Sequence, residues 1–231
     1  MRRRRDWLFW LLGVPVALII LLQLWYFVQV CWWVNHNPSS TAFMREQLAR
    51  LREKNPNAQL QHQWVPYERI SNNLKRAIIA SEDANFAEHE GVDWEALQKA
   101  YEKNAKKGKV VRGGSTITQQ LAKNLFLSSE RSYVRKAQEM LITFMIEAVM
   151  DKRRIFEIYL NSVEWGTGVF GCEAAARKYF GVAAAKLGPA EAARLAVMLP
   201  NPRFFGRHLD SNYLNKRSAL ILTRMNSADL P

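Results

Sequence analysis

The longest uninterrupted apolar run lies near the start of the chain, where no side chain from Trp7 to Val34 is charged at neutral pH. Roughly 20 apolar residues suffice to cross a hydrocarbon core of about 30 Å, so the run predicts a membrane-spanning helix. It has no polar face, which argues against the core helix of a soluble protein. The run ends in Val30, Cys31, Trp32 and Trp33. These resemble an interfacial aromatic belt rather than the small residues of a cleavage site, so an uncleaved anchor is expected. Polar residues from Asn35 to Thr41 then suit a short linker, followed by a charged helix from about Ala42 to Lys54 that Asn55 and Pro56 stop. Gln59 to Val65 reads as a short extended stretch, because Pro66 keeps the residue before it out of the helical region.

Beyond Pro66 the spacing of apolar residues is helical. Ile70 and Ser71 cap a stripe of Leu74, Ala77 and Ile78, and Thr116 with Gln119 forms a capping box ahead of Ile117, Leu121 and Leu125. A long helix is expected from about Tyr133, with Ala137, Met140, Leu141, Phe144, Met145 and Ala148 as its buried stripe. Ile155, Ile158 and Tyr159 continue the pattern. Glu173 to Phe180 and Pro189 to Met198 supply two more helices, separated by Gly181 and Gly188. The fold class expected is mainly α, with strands contributing little. The expected organisation is a cytoplasmic terminus over 1–6, an anchor over 7–34, a linker and helix over 35–60, and one globular domain over 61–231.

Composition narrows the class. The 231 residues have a formal net charge of +12, and a mean hydropathy of -0.24 fits neither a disordered chain nor a multi-span membrane protein. Arg2 to Arg5 precede the apolar run and no cation follows it closely, so the N-terminus is expected in the cytoplasm and the rest outside. Nucleic acid is a poor partner for such a domain, and its aromatics are not interleaved with its cations as a stacking platform requires. Anionic headgroups and the phosphates of a lipid-linked substrate are the natural partners. Neither the two cysteines nor the four histidines have metal-site spacing.

Three segments carry candidate chemistry. Glu82 and Asp83 close an apolar helical stripe just before Phe86, His89 and Gly91; a solvated helix end would look the same. Gly113, Gly114, Ser115 and Thr116 open a helix, where free N–H groups suit an anion, although paired glycines also occur in ordinary turns. Glu139 lies three and four residues after Lys136 and Arg135, which puts all three on one helix face, as in many surface ion pairs.

Taken together, Glu82-Asp83-x-x-Phe86-x-x-His89-x-Gly91, the run Gly113 to Gln120 with Leu121, Lys123 and Asn124, and Arg135-Lys136-x-x-Glu139 resemble successive motifs of the peptidoglycan glycosyltransferases of glycosyltransferase family 51. Arg154 to Asn161 with Gly166, Gly168, Ala174, Ala175, Tyr179, Phe180 and Gly181 resembles the next motif, and Glu191 to Pro202 the last. The likeness runs from about Val65 to Arg203. It departs at Arg203-Phe204-Phe205-Gly206, where tyrosine and proline are more usual. The stretch after the last motif is short for a second catalytic domain, so the chain is expected to resemble the family branch that stands alone behind one anchor.

The resemblance implies a lysozyme-like helical lobe with a smaller membrane-proximal lobe. It implies polymerisation of lipid II into β-1,4-linked glycan with inversion, the growing lipid-linked strand being the donor. Glu82 would be the general base and Glu139 the second carboxylate, on the donor side. Lys123, Arg131, Arg135 and Lys136 would hold the pyrophosphate, with Ser115, Thr116 and Gln120 adding hydrogen bonds. A divalent metal ion, Mg or Mn, is expected as a cofactor with Glu139 as its candidate ligand, and no organic cofactor is expected. Expected partners are lipid II, the growing strand, the membrane and other cell-wall synthesis proteins. The basic stretch Lys103, Lys106, Lys107, Lys109 and Arg112 would meet headgroups or substrate phosphates. A lysozyme-like hydrolase or a noncatalytic membrane scaffold are the alternatives.

Overall fold

A computed structural model describes residues 3–107, 114–130 and 132–231. Helix α1 (Arg3–Asn35) contains the apolar segment Gly13–Asn35, whose most apolar window has mean hydropathy 2.1 and is only 6% buried. By length and composition this helix can cross a membrane. Its C-terminal end is fastened to the rest of the chain. Val30 is fully buried, and Tyr26 and Trp33 pack on Phe126 with ring centroids 5.0 and 5.1 Å apart. The Arg154 guanidinium donates to the carbonyls of Trp33 and His36 at 3.0 and 2.7 Å.

The remaining helices are α2 (Ala42–Arg52), α3 (Asn72–Glu82), α4 (Trp94–Lys107), α5 (Ile117–Phe126), α6 (Tyr133–Val149), α7 (Lys152–Ser162), α8 (Cys172–Phe180), α9 (Pro189–Met198), the short α10 (Pro202–Phe205) and α11 (Asn212–Arg224). They fall into two groups. In one, α3 lies against α9 and α11, with Leu74, Ala77 and Ile78 meeting the small residues Ala192, Ala193 and Ala196. In the other, α5 is surrounded by α2, α6 and α7, and Ile117, Leu121 and Leu125 fill the space between them. Phe86, Phe156, Tyr159 and Trp165 extend one continuous core across both groups. The mainly α fold expected from the sequence is therefore the fold observed.

Strands β1 (Gln61–His62), β2 (Glu164–Gly166) and β3 (Val169–Phe170) form a small sheet in the order β1-β3-β2. β1 runs parallel to β3, with Gln61 opposite Val169, and β2 is antiparallel to it. Beside the sheet, the divergent Arg203 gains a defined role, since its guanidinium pairs with the buried Glu164 carboxylate at 3.0 Å. Asn161 ties β1 to α7. It accepts from Val65 N at 2.8 Å, donates to the Val65 and Glu157 carbonyls at 2.9 Å, and is fully buried.

One sequence expectation is reversed. The stripe Ala137, Leu141, Phe144 and Ala148 faces outward on α6, with Leu141 and Phe144 nearly half exposed. The buried face carries Glu139, Ile142, Thr143 and Ile146 instead. Periodicity locates an apolar face but does not say whether protein or lipid covers it. Replacing Asn161 with alanine strands the amide and carbonyl of Val65; each unsatisfied buried group costs about 1–3 kcal/mol. Thermal melting of the full chain in detergent should fall by roughly 2–4 °C per kcal/mol lost.

Candidate active site

The two helix groups meet where the C-terminus of α3 touches the N-terminus of α5. Asp83, the C-cap of α3, is buried and accepts from Ile117 N, the first amide of α5, at 2.9 Å. Its other oxygen accepts from His89 Nε2 at 2.9 Å. Free N–H groups at a helix start suit a carboxylate, so this contact locks one helix end to the other. The turn between them is fastened further. Thr116 Oγ1 caps α5 by accepting from Gln119 N at 3.2 Å and donates to the Gly91 carbonyl at 2.6 Å. Gly91 has φ +85°, and a Cβ there would lie 2.7 Å from Thr143 Cγ2. Thr116, expected to bind substrate, therefore commits its hydroxyl to the fold, and its side chain is buried.

Glu82 is the last residue of α3 and is partly buried. Gln120 Nε2 donates to one of its oxygens at 3.0 Å, and Ser81 Oγ lies 3.5 Å from the other. The Gln120 carbonyl accepts from Tyr159 OH at 3.0 Å, which fixes the amide orientation. Burial raises the Glu82 pKa above the ordinary carboxylate range; the neighbouring Asp83 adds to this, while the Gln120 and Ser81 hydrogen bonds and Arg217 oppose it. Arg217, on α11, was not anticipated; nothing in its local sequence separates it from other surface cations.

Glu139 has the opposite surroundings. It is buried at 4% exposure, one oxygen accepts from Arg135 Nη1 at 2.6 Å, and the other from Lys136 Nζ. Lys136 Nζ also reaches Ser115 Oγ at 3.4 Å. Arg135 Nε is buried and has no hydrogen-bond partner among the described residues, so donor capacity remains on the guanidinium. Ser115 precedes the N-cap of α5 and Gln120 closes its first turn, so the start of α5 contacts both the Lys136–Glu139 pair and Glu82. Lys123, three residues after Gln120, shares its helix face, and its Nζ lies 6.0 Å from the centre of the Phe43 ring. Arg131, Gly113, Lys109 and Arg112 lie outside the described residues.

Among the described residues, no three His, Cys, Asp or Glu side chains converge as a metal cage would require. Glu139 is a single carboxylate between two cations. A Mg or Mn ion there would draw most of its shell from phosphate oxygens and water, which Mg accepts readily.

Residues 46–226 match the model of the transglycosylase family. Over 231 residues, covering all of both chains, the sequence is 71% identical to a biosynthetic peptidoglycan transglycosylase of Janthinobacterium sp. (strain Marseille). It is 68% identical, again over the whole of both chains, to the protein of the same description in Herminiimonas arsenicoxydans. The one in Bordetella pertussis is 56% identical, over 99% of this chain and 98% of that one.

Because the Glu82 pKa is raised in the folded chain, the native state holds this proton more tightly than the unfolded state does. Its ionisation therefore weakens the fold as pH rises from the unfolded carboxylate pKa of about 4.3 through the higher native value. Glu82→Gln keeps an oxygen for Gln120 and removes that penalty. Its melting temperature should exceed that of the parent at neutral pH, and the gap should close on acidification; a gap independent of pH would contradict the assigned cause.

Proposed function

We propose a mechanism from one premise: the chain belongs to the transglycosylase family and is a peptidoglycan glycosyltransferase of cell-wall synthesis. The observation that carries the mechanism is the contrast between its two carboxylates. Among the described residues Glu82 has neutral hydrogen-bond donors, and its pKa is raised, whereas Glu139 is held by two cations. Carboxylates whose environments differ in this way divide the roles of a reaction between them.

The acceptor is the 4-hydroxyl of a lipid II sugar and the donor is the growing strand, attached through pyrophosphate to its lipid. Glu82 takes the hydroxyl proton as the oxygen attacks the anomeric carbon. A base with a raised pKa accepts that proton more readily, while part of its charge is relieved by Gln120. On the far side of the anomeric carbon the bond to pyrophosphate breaks, and Arg135, Lys136 and Lys123 meet the charge released there. Arg135 is suited to two phosphate oxygens at once. Glu139 keeps the two cations together before substrate arrives, so little reorganisation accompanies bond breaking. Attack opposite the leaving group converts an α-linked donor into a β-linked product. Ser115 and Gln120 add hydrogen bonds at the two ends of the site.

A Mg or Mn ion on Glu139 would take the place of Arg135 or Lys136 on one of its oxygens, and there would supply further neutralisation of the leaving group. Helix α1 anchors the enzyme in the cytoplasmic membrane, with Arg2 to Arg5 inside and the catalytic part outside. Tethering confines enzyme and lipid-tailed substrates to one surface and raises their effective concentration.

Turnover of purified lipid II tests this reading. Glu82→Gln should lower glycan synthesis by about 10²–10⁴-fold in a folded protein, and Glu139→Gln should weaken donor use. Wild-type kcat/KM should fall on the acid side of a pKa above the ordinary carboxylate value. Shortening of pre-formed strands instead of their synthesis would point to a hydrolase, and an active Glu82→Gln would remove the base. Chelation with EDTA, reversed by added Mg or Mn, should reduce turnover where the ion assists; unchanged turnover would leave the cations as the sole neutralising groups.

A further inference from the structure

Gln23 lies inside the apolar run and forms a reciprocal amide pair with Gln138 of α6. Gln23 Nε2 donates to Gln138 Oε1 at 2.9 Å, and Gln138 Nε2 donates to Gln23 Oε1 at 2.8 Å. Amide donors and acceptors in hydrocarbon seek partners because lipid offers none. Gln138 is followed by Glu139 and stands three residues after Arg135 and two after Lys136. The pair therefore joins the membrane helix directly to the helix that carries the cation group.

Its depth follows from chain length. The apolar run starts at Trp7, and about 20 residues cross the hydrocarbon, which brings the outer boundary to about residue 26. Gln23 then lies about 5 Å below it, inside the hydrocarbon and short of the lipid phosphates that lie beyond that boundary. The rest of α1 rises beyond that boundary and is gripped by Phe126 and Arg154. The outer face of α6 agrees with this depth. Tyr133 and Val134 are 98% and 81% exposed, and Leu141 and Phe144 continue the apolar surface. Lipid satisfies such a face, whereas water does not.

We propose that the Gln23–Gln138 amide pair is a depth gauge: it holds Arg135, Lys136 and Glu139 at the height of the pyrophosphate of a substrate confined to the bilayer. Gln23 and Gln138 are thus positioning residues for membrane-held substrate, not groups that touch it. The proposal rests on the glycosyltransferase reading and on α1 being the anchor.

The test compares the full chain with its Gln23→Leu, Gln138→Leu and doubly substituted forms, first confirming that the parent polymerises lipid II. A parent without that activity would overturn the glycosyltransferase reading rather than the gauge. Each variant is assayed on long-chain lipid II in anionic vesicles and on a short-chain analogue in detergent. Single variants should lose about 3–30-fold in vesicles, the range that corresponds to an interhelical amide pair, while keeping parental rates in detergent. The double variant should be no worse than the singles, because all three lose the same interaction. Depth is read independently from a Tyr133→Cys form in a Cys31→Ser background, with a fluorophore at residue 133 quenched by brominated lipids. The most effective bromine position should shift when Gln138 is leucine. Equal losses with both substrates would make the pair a purely structural contact and overturn the proposal, as would an unchanged depth with unchanged vesicle rates.

Discussion

Everything at the site depends on the contact between the Asp83 carboxylate and the first amide of α5. Glu82 closes α3 and Gln120 lies one turn into α5, so their 3.0 Å hydrogen bond is possible only if these helix ends keep a fixed relation. Asp83 supplies that relation from inside the protein, where the helix dipole and the buried setting both strengthen it. The other Asp83 oxygen engages His89, and the turn that carries His89 is gripped again through Gly91 and Thr116. Lys152 adds a further tie, donating to the His89 carbonyl and to Glu147. An acidic pair that could be mistaken for a solvated helix end is therefore divided: one carboxylate builds the site and the other is presented by it.

Helix starts, caps and the ion-pair face were legible because they depend on residues close together in sequence. The Thr116–Gln119 capping box forms as its spacing predicts, and Glu139 pairs with Arg135 and Lys136 as helical geometry requires. The functions of Asp83 and Thr116 were not legible, since both are decided by partners tens of residues away. Helices α4 and α11 were missed for another reason. On α4 the apolar Trp94, Leu97 and Tyr101 remain exposed, and on α11 few apolar residues face the core, so neither shows a strong buried stripe. The small sheet is formed by strands of two or three residues, too short for an alternating pattern to show.

The inverted stripe of α6 has the same origin as the long apolar run. Hydrophobic periodicity reports a preference to leave water, and a chain that meets both a protein core and a bilayer has two ways to satisfy it. In α6 the face turned to the protein interior carries Glu139 and Thr143 beside Ile142 and Ile146, while Leu141 and Phe144 look outward. A soluble enzyme would pay for that arrangement in aggregation. Beside a helix able to cross a membrane, as proposed for α1, it would let one element hold a buried carboxylate with its cations on one side and lipid on the other.

That division also explains why these two carboxylates suit transfer better than hydrolysis. A hydrolase acting on a glycan must protonate an alcohol leaving group, which calls for a carboxylic acid on the leaving-group side. Here both oxygens of the carboxylate beside Arg135 and Lys136 accept hydrogen bonds from those cations, so neither is placed to hand a proton to a leaving group. Pyrophosphate needs no proton to depart; it needs positive charge already in place. The raised pKa belongs to Glu82, to which the proposed mechanism gives the proton of a sugar hydroxyl. In that mechanism the stronger base serves the acceptor and fixed cations serve the leaving group, as a donor activated by phosphate requires.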